Sequence, residues 1–324
     1  MKNLVLSAFA ALALSGLAGC TDDDDDPTAL SIVATAQATP SLSTLVAAVE
    51  FASDDGDLVD LLSSPGTLTV FAPSNAAFDA LAVELTGQAG ATGADLLTAA
   101  NKPLLRAVLQ YHVLTSTVAS TAIPFGLPIT SAEGSVFKID SGSPPVITDG
   151  RNRTARITAV DVAASNGVVH LIDKVILPAD KNIVETAAAR AAGSPAEFSI
   201  LVEAVTAANL AGTLSGPGPF TVFAPTDAAF GALLTELGVT KAQLLANTAL
   251  LTRVLTYHVV PSRVFKAQVP IGQAITSVET GTFTVGADLK ITDERGRQAG
   301  IVGTDVLAKN GVIHVIDKVI LPAP

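Results

Sequence analysis

The sequence predicts an α+β protein made of one module copied twice. Three observations carry that expectation. Residues 166–178, Asn-Gly-Val-Val-His-Leu-Ile-Asp-Lys-Val-Ile-Leu-Pro, return at 310–322 with two changes, both between branched aliphatics. Phe71-Ala72-Pro73-Ser74-Asn75-Ala76-Ala77-Phe78 returns as Phe223-Ala224-Pro225-Thr226-Asp227-Ala228-Ala229-Phe230, and Tyr111-His112-Val113 as Tyr257-His258-Val259, in the same order. Within each copy, apolar residues at helical spacing come first and short strand-like runs come later, so helices and strands are segregated rather than alternating. A repeat of this kind governs every later assignment.

The copy-to-copy offset falls from 152 at Phe71/Phe223 to 146 at Tyr111/Tyr257 and 144 at Asn166/Asn310, so copy one carries extra residues in two places. One is the Gly/Ala-rich stretch Thr86–Asp95, and the other lies between the Tyr-His pair and the last motif. Insertions that leave motifs intact belong in surface loops. Each copy is large enough to close its own core. The expected boundaries are a signal peptide with a lipobox at 1–19, a lipidated cysteine and acidic spacer at 20–29, modules at 30–178 and 183–324, and a linker at 179–182.

The elements follow in order. Leu42–Val49 has helical spacing, with Ser41 available as its N-cap, and 198–205 is its partner. A Gly/Pro turn leads into a short strand at Leu68–Phe71 or Phe220–Phe223, which Pro73 or Pro225 ends. Ser74 or Thr226 then caps a helix that carries Phe78 or Phe230 inward. Leu104, Leu105, Val108 and Leu109 form the face of another helix, repeated by Leu250, Leu251, Val254 and Leu255, with Pro103 suited to the first turn. Tyr-His is expected to open a strand. Asn166-Gly167 and Asn310-Gly311 read as two-residue hairpin turns. The last motif is apolar on both strand faces, the mark of a strand buried from both sides.

The first twenty residues stand apart. Lys2, an apolar run at Leu4–Leu14 and Leu17-Ala18-Gly19-Cys20 read as a secretory signal ending in a bacterial lipobox, which implies a lipid anchor on Cys20. Cys20 is the only cysteine, so no intramolecular disulfide can form. Asp22–Asp26 form a self-repelling, solvated spacer. Thr21, not Asp, follows the cysteine, which points to the outer membrane.

Formal charge is −11. Residues 27–180 hold 14 acids and 7 bases, whereas 181–324 hold 11 of each. With no basic stripe, nucleic-acid binding is disfavoured. Gly-x-Ser-x-Gly, P-loop, His-Glu-x-x-His and Cys-x-x-Cys signatures are absent from the sequence.

Thr221–Phe230, the Tyr257-His258 pair and Asn310–Pro322 resemble the ordered signatures of fasciclin-type (FAS1) domains, and copy one matches at all three places. The resemblance covers nearly all of residues 30–324. It implies a β-sandwich or wedge with several helices packed around it, no catalysis, no cofactor, and a role in adhesion or extracellular binding. It also links the Tyr-His region to receptor contact. The Asp-Ile pair of animal members is missing, since Asp173-Lys174-Val175 and Asp317-Lys318-Val319 stand there.

The chain's four histidines all lie in repeated motifs. His170 and His314 share a strand face with aliphatics and read as buried, neutral and hydrogen-bonded. Tyr111, His112, Tyr257 and His258 are the candidate partner-binding residues, although a structural role competes. No catalytic, cofactor or metal residue is assigned. Asp173 and Asp317 are expected to satisfy backbone donors. Asp161 and Asp305 are expected to pair with the following Asn-Gly turn. Arg151, Arg153 and Arg156 read as a solvated cluster confined to copy one. The expected function is non-enzymatic adhesion at the cell envelope, toward a protein or polysaccharide, with the protein periplasmic or surface-exposed. The alternatives are a carrier or sensor of a small apolar ligand and, below it, a hydrolase using His112 or His258.

Overall fold

The computed structural model describes residues 29–54 and 56–324. The expected leader, Cys20 and the run Asp22–Asp26 lie outside the described residues. Copy one runs α1 (Ile32–Gln37), α2 (Ser43–Ala52), α3 (Asp57–Ser63), β1 (Leu68–Pro73), α4 (Asn75–Thr86), α5 (Lys102–Tyr111), β2 (Val113–Leu114), β3 (Pro128–Thr130), β4 (Val136–Asp140), β5 (Val146–Thr148), β6 (Thr154–Ala164) and β7 (Gly167–Ile172). Copy two runs α6 (Ile183–Ala191), α7 (Ser199–Ala207), α8 (Ala211–Ser215), β8 (Phe220–Pro225), α9 (Asp227–Leu237), α10 (Lys241–Ala246), α11 (Thr248–Tyr257), β9 (Val259–Val260), β10 (Ala274–Thr276), β11 (Thr282–Val285), β12 (Lys290–Thr292), β13 (Gln298–Ala308) and β14 (Gly311–Ile316).

Among the described residues each copy builds one seven-stranded sheet, ordered β2-β1-β7-β6-β5-β4-β3 and β9-β8-β14-β13-β12-β11-β10. The β1/β7 and β8/β14 pairs are parallel, and the other neighbours are antiparallel. The long strand β6 pairs with β5 at one end and β7 at the other, and its register slips twice between Ile157 and Val162. Asp161 sits in the slip at φ 57°, and Asp305 repeats it at 58°. Asp tolerates that left-handed conformation, and the bulge bends the strand.

The bent sheet has two apolar sides. Helices cover one, where Leu45, Phe78, Leu105 and Val169 meet. The other closes on itself around Phe71, Tyr111, Phe137, Ile147 and Ile172. Copy two repeats both cores. The last motif therefore runs between two cores, as its apolar faces predict.

Local starts and stops explain the motif spellings. Ser74 and Thr226 accept from Ala77 and Ala229 N–H at 3.3 and 3.2 Å, the expected caps. Ser41 does not cap α2. Its N-terminus is served from outside, Asn75 Oδ1 accepting from Thr44 N–H at 3.0 Å. Asp227 does the same for α7, accepting from Ser199 and Ile200 N–H at 3.1 and 2.8 Å. One dipeptide thus caps two helices, which removes orphan donors at both.

The hairpin turn is Ser165-Asn166, one residue earlier than expected, and Gly167 opens β7. A Cβ on Gly167 would lie 2.1 Å from the Leu68 carbonyl oxygen, and one on Gly311 2.1 Å from that of Phe220. Only glycine fits so close to a parallel neighbour. The buried Asn166 amide donates to the Leu62 and Ser64 carbonyls, and its Oδ1 accepts from Ile32 N–H. Among the described residues no helix is long and apolar enough to cross a membrane.

Candidate functional site

Tyr111 closes α5 and His112 caps it, rather than opening β2. The cause is the ring: His112 Nδ1–H donates back to the Val108 carbonyl at 2.6 Å, four residues earlier. Its Nε2 then accepts from Ile176 N–H at 3.1 Å, so the imidazole joins α5 to the segment after β7. His258 repeats this with Val254 and Ile320 at 2.7 and 3.1 Å. Burial pushes both imidazoles down to about 4. The Tyr111 hydroxyl donates to Val136 and accepts from Gly150 N–H at 2.8 and 2.9 Å.

Tyr111 and Tyr257 are 0 % exposed, His112 and His258 2 %. The partner-binding role expected of these four does not fit their placement, because no side chain sealed on all sides reaches a partner. The dipeptide is instead a knot. One member pins the helix end to the C-terminal segment, and the other props the sheet core through an edge contact with Phe137.

In His170 and His314 the two ring nitrogens exchange roles. Nδ1 accepts from the Asp161 or Asp305 N–H, and Nε2–H donates to the Val118 or Val264 carbonyl at 2.9 or 2.8 Å. Burial lowers the basicity of His314. Their structural reading fits. Asp173 and Asp317 also behave as expected, each accepting a backbone N–H at 2.7 Å.

Asp161 and Asp305 do not pair with the Asn-Gly turn, because the bulge turns their side chains the other way. Asp161 accepts from Ser120 N–H at 2.8 Å and from its hydroxyl, lies exposed, and is held below the usual carboxylate range by that hydroxyl. Asp305 accepts from Lys266 N–H at 2.7 Å and is buried, because copy one lies over it. Lys138 of β4 reaches across and meets it at 3.1 Å. Beside this ion pair Asn152 grips the backbone of Leu307, donating to its carbonyl at 3.0 Å and accepting its N–H at 2.6 Å. Val136 packs on Phe265, Leu307 and Val312. The two copies therefore meet along β4 and the 149–153 turn of one and β13 of the other.

The arginine cluster is not confined to copy one: Arg295 and Arg297 stand where Arg151 and Arg153 do. Nor is it merely solvated. Arg153 binds Asp149 and Glu84, and Arg297 binds Glu236. At the centre sit Asp149 and Asp293, buried carboxylates that each accept two turn N–H groups and one from Leu177 or Leu321. By sequence alone they look like turn residues. The signal was there in Ile-Thr-Asp repeated with arginines two and four places on. Among the described residues no three His, Cys, Asp or Glu side chains converge as a metal site.

Apolar clefts remain under the helices. Copy one has one of about 80 Å³ between α1, α2 and β1. Copy two has one of about 250 Å³ between α9, α10 and α11.

The chain is similar to several known proteins. The cell surface glycolipoprotein MPB83 of Mycobacterium bovis is 38% identical over 120 residues, 35% of this chain and 48% of that protein. The transforming growth factor-beta-induced protein ig-h3 of Oryctolagus cuniculus is 33% identical over 262 residues, 81% of this chain. The chain spans 35% of the length of that protein. A solved FAS1 domain pair from the insect cell adhesion molecule fasciclin I is similar at 18% identity and a TM-score of 0.42, over 87% of this chain and 97% of that one. Residues 40–178 and 196–322 each match the fasciclin domain, so the chain belongs to the fasciclin domain family.

Proposed function

We propose that this chain is a non-enzymatic binding protein of the cell envelope, held by a lipid on Cys20 and acting through two modules, 30–178 and 183–324, joined at 179–182. Its partner is an extracellular or envelope protein or polysaccharide. The observation that carries the reading is the state of the histidines. All four have both ring nitrogens occupied by backbone groups, so none is available as a base or ligand. What the molecule offers a partner is surface. The fixed junction presents the surfaces of both modules together, which raises effective concentration where both engage. The surface lipoprotein MPB83 supports the envelope location. Protease treatment of intact cells would check that location, with Cys20→Ser as the unanchored control. Binding of the full chain to matrix protein, polysaccharide and cells would check the role, and failure on all three surfaces would count against it.

A further inference from the structure

The cleft of about 250 Å³ in copy two has a much smaller counterpart of about 10 Å³ in copy one. Composition does not separate them. Leu233, Leu244, Leu250, Leu251 and Leu321 line the open cleft. The corresponding positions 81, 96, 104, 105 and 177 of copy one are leucine too.

The backbone separates them, and two positions account for it. Thr92-x-x-Asp95 and Thr240-x-x-Gln243 are matching capping boxes. The residue after the threonine is Gly93 in copy one and Lys241 in copy two. The N–H of Gly93 donates to Asp79 of α4 at 2.8 Å. Gly93 lies so close that a Cβ would meet Thr44 Cγ2 at 2.4 Å and Phe78 Cβ at 2.8 Å. That approach draws the segment down and shuts the space. In copy two the position of Asp79 is Gly231, so no carboxylate pulls, and Lys241 has a side chain that forbids the approach. Lys241 turns out to Glu203 instead, at 2.8 Å. The helix α10 stands off, and the apolar slot stays open.

One cation borders that slot. Arg295 Nε donates to the Pro322 carbonyl at 2.8 Å, and its guanidinium pairs with no carboxylate among the described residues. In copy one Arg151 meets Asp180 at 3.3 Å, a position that Pro324 takes in copy two. An apolar slot poorly suited to water, with one guanidinium at its rim, suits an aliphatic tail ending in one anionic group, of which a carboxylate is the smallest.

We infer that module two binds a medium-chain aliphatic carboxylate in the cleft between α9, α10 and α11, with Arg295 at the head group. The inference is independent of the adhesion reading.

Decanoate titrated into the full chain by calorimetry tests it. One equivalent is expected to bind, and decanol, which lacks the charge, should bind roughly tenfold more weakly. Arg295→Gln should remove the difference between the two. The double variant Gly231→Asp/Lys241→Gly reproduces the closing bond of copy one and should lose decanoate binding while keeping a cooperative melt. Should that variant not fold, methyl spectra of the wild-type chain decide: decanoate should shift Leu233 and Leu251 but leave Leu81 and Leu105 unmoved. No heat and no methyl shifts at millimolar decanoate would overturn the site. Equal binding of decanol and decanoate would overturn the carboxylate assignment.

Discussion

At the end of module two that faces module one, Phe265, Leu307 and Val312 form a closed apolar patch with Asp305 buried beside it. At the same place on module one stand Ala119, Ala163 and Val168, with Asp161 exposed. The opposite faces differ in the same way. Module one offers Val136, Lys138 and Asn152 where module two has Thr282, Thr284 and Gly296. Phe265, Leu307, Val136 and Lys138 lie on the two faces that meet, and smaller or neutral polar residues stand at the matching outward positions, whereas the Asp161/Asp305 and Val168/Val312 positions are shared. The contact is thus heterologous, and most of the residues that make it are not repeated on the free faces. Residues shared by the copies build the module, and residues that differ build the pair.

The largest test of the shared part is Ile316→Ala against Ile172→Ala. Both side chains are buried where the sheet closes on itself. Each should cost about 2–5 kcal/mol in denaturant unfolding, the range for a buried aliphatic. A loss under about 0.5 kcal/mol, typical of surface positions, would show that one strand is not internal and that the copies are not equivalent.

The second test is pH. His112 and His258 are held near 4 when folded, against about 6.5 in an unfolded chain. Above 6.5 neither state binds the proton, so the histidines make no difference. Between 6.5 and 4 the unfolded chain takes up protons that the folded one refuses, and stability falls as pH falls. The loss should reach about 3 kcal/mol per module by pH 4 and then level off. Denaturant midpoints across that window measure it, and imidazole resonances that titrate near 6.5 in either module would break the equivalence.

Much of the module was readable before the structure, because a core repeats its spelling. The Phe-Ala-Pro and Val-Ile-Asp-Lys motifs announced a strand each, and Ser74 and Thr226 announced a cap. The misreadings have one cause. Tyr111-His112 looks strand-like because Val113 and Leu114 follow, yet a ring bonding back four residues ends the helix there. Asn75 looks like a helix opener for its own segment, yet it also caps α2, thirty-one residues upstream. The carboxylates of Asp149 and Asp161 likewise find partners that only the folded sheet brings near. The junction was least legible of all. It joins β4 of one copy to β13 of the other, and its trace in the sequence is that the copies disagree at Ala119/Phe265, Val136/Thr282, Lys138/Thr284, Asn152/Gly296 and Ala163/Leu307.

That disagreement can be tested directly with Lys138→Met. Removing one partner of a buried ion pair commonly costs 3–5 kcal/mol. Here the loss is capped, because Asp305 regains water once the modules part, so about 1–3 kcal/mol is expected. The readout is separation: coupled melting is expected of the wild type, and two thermal transitions with faster proteolysis between the modules of the variant. An unchanged single transition would show that Val136 and Asn152 hold the junction without the ion pair.

The smallest effect should come from the same chemistry on the free face. Asp161→Asn keeps an oxygen for the Ser120 N–H and keeps a residue type that tolerates the left-handed bulge. It removes only the charge that strengthens two exposed hydrogen bonds, so a loss of about 0.5 kcal/mol is expected. Asp305→Asn should cost several times more, because it leaves the largely buried Lys138 ammonium with Asp140 as its one remaining carboxylate among the described residues. The ratio matters more than either value, since both variants share the bulge, the imidazole behind it and the backbone N–H in front. Equal losses in chemical denaturation would mean that module one adds nothing at Asp305. The two beads would then be strung together rather than docked.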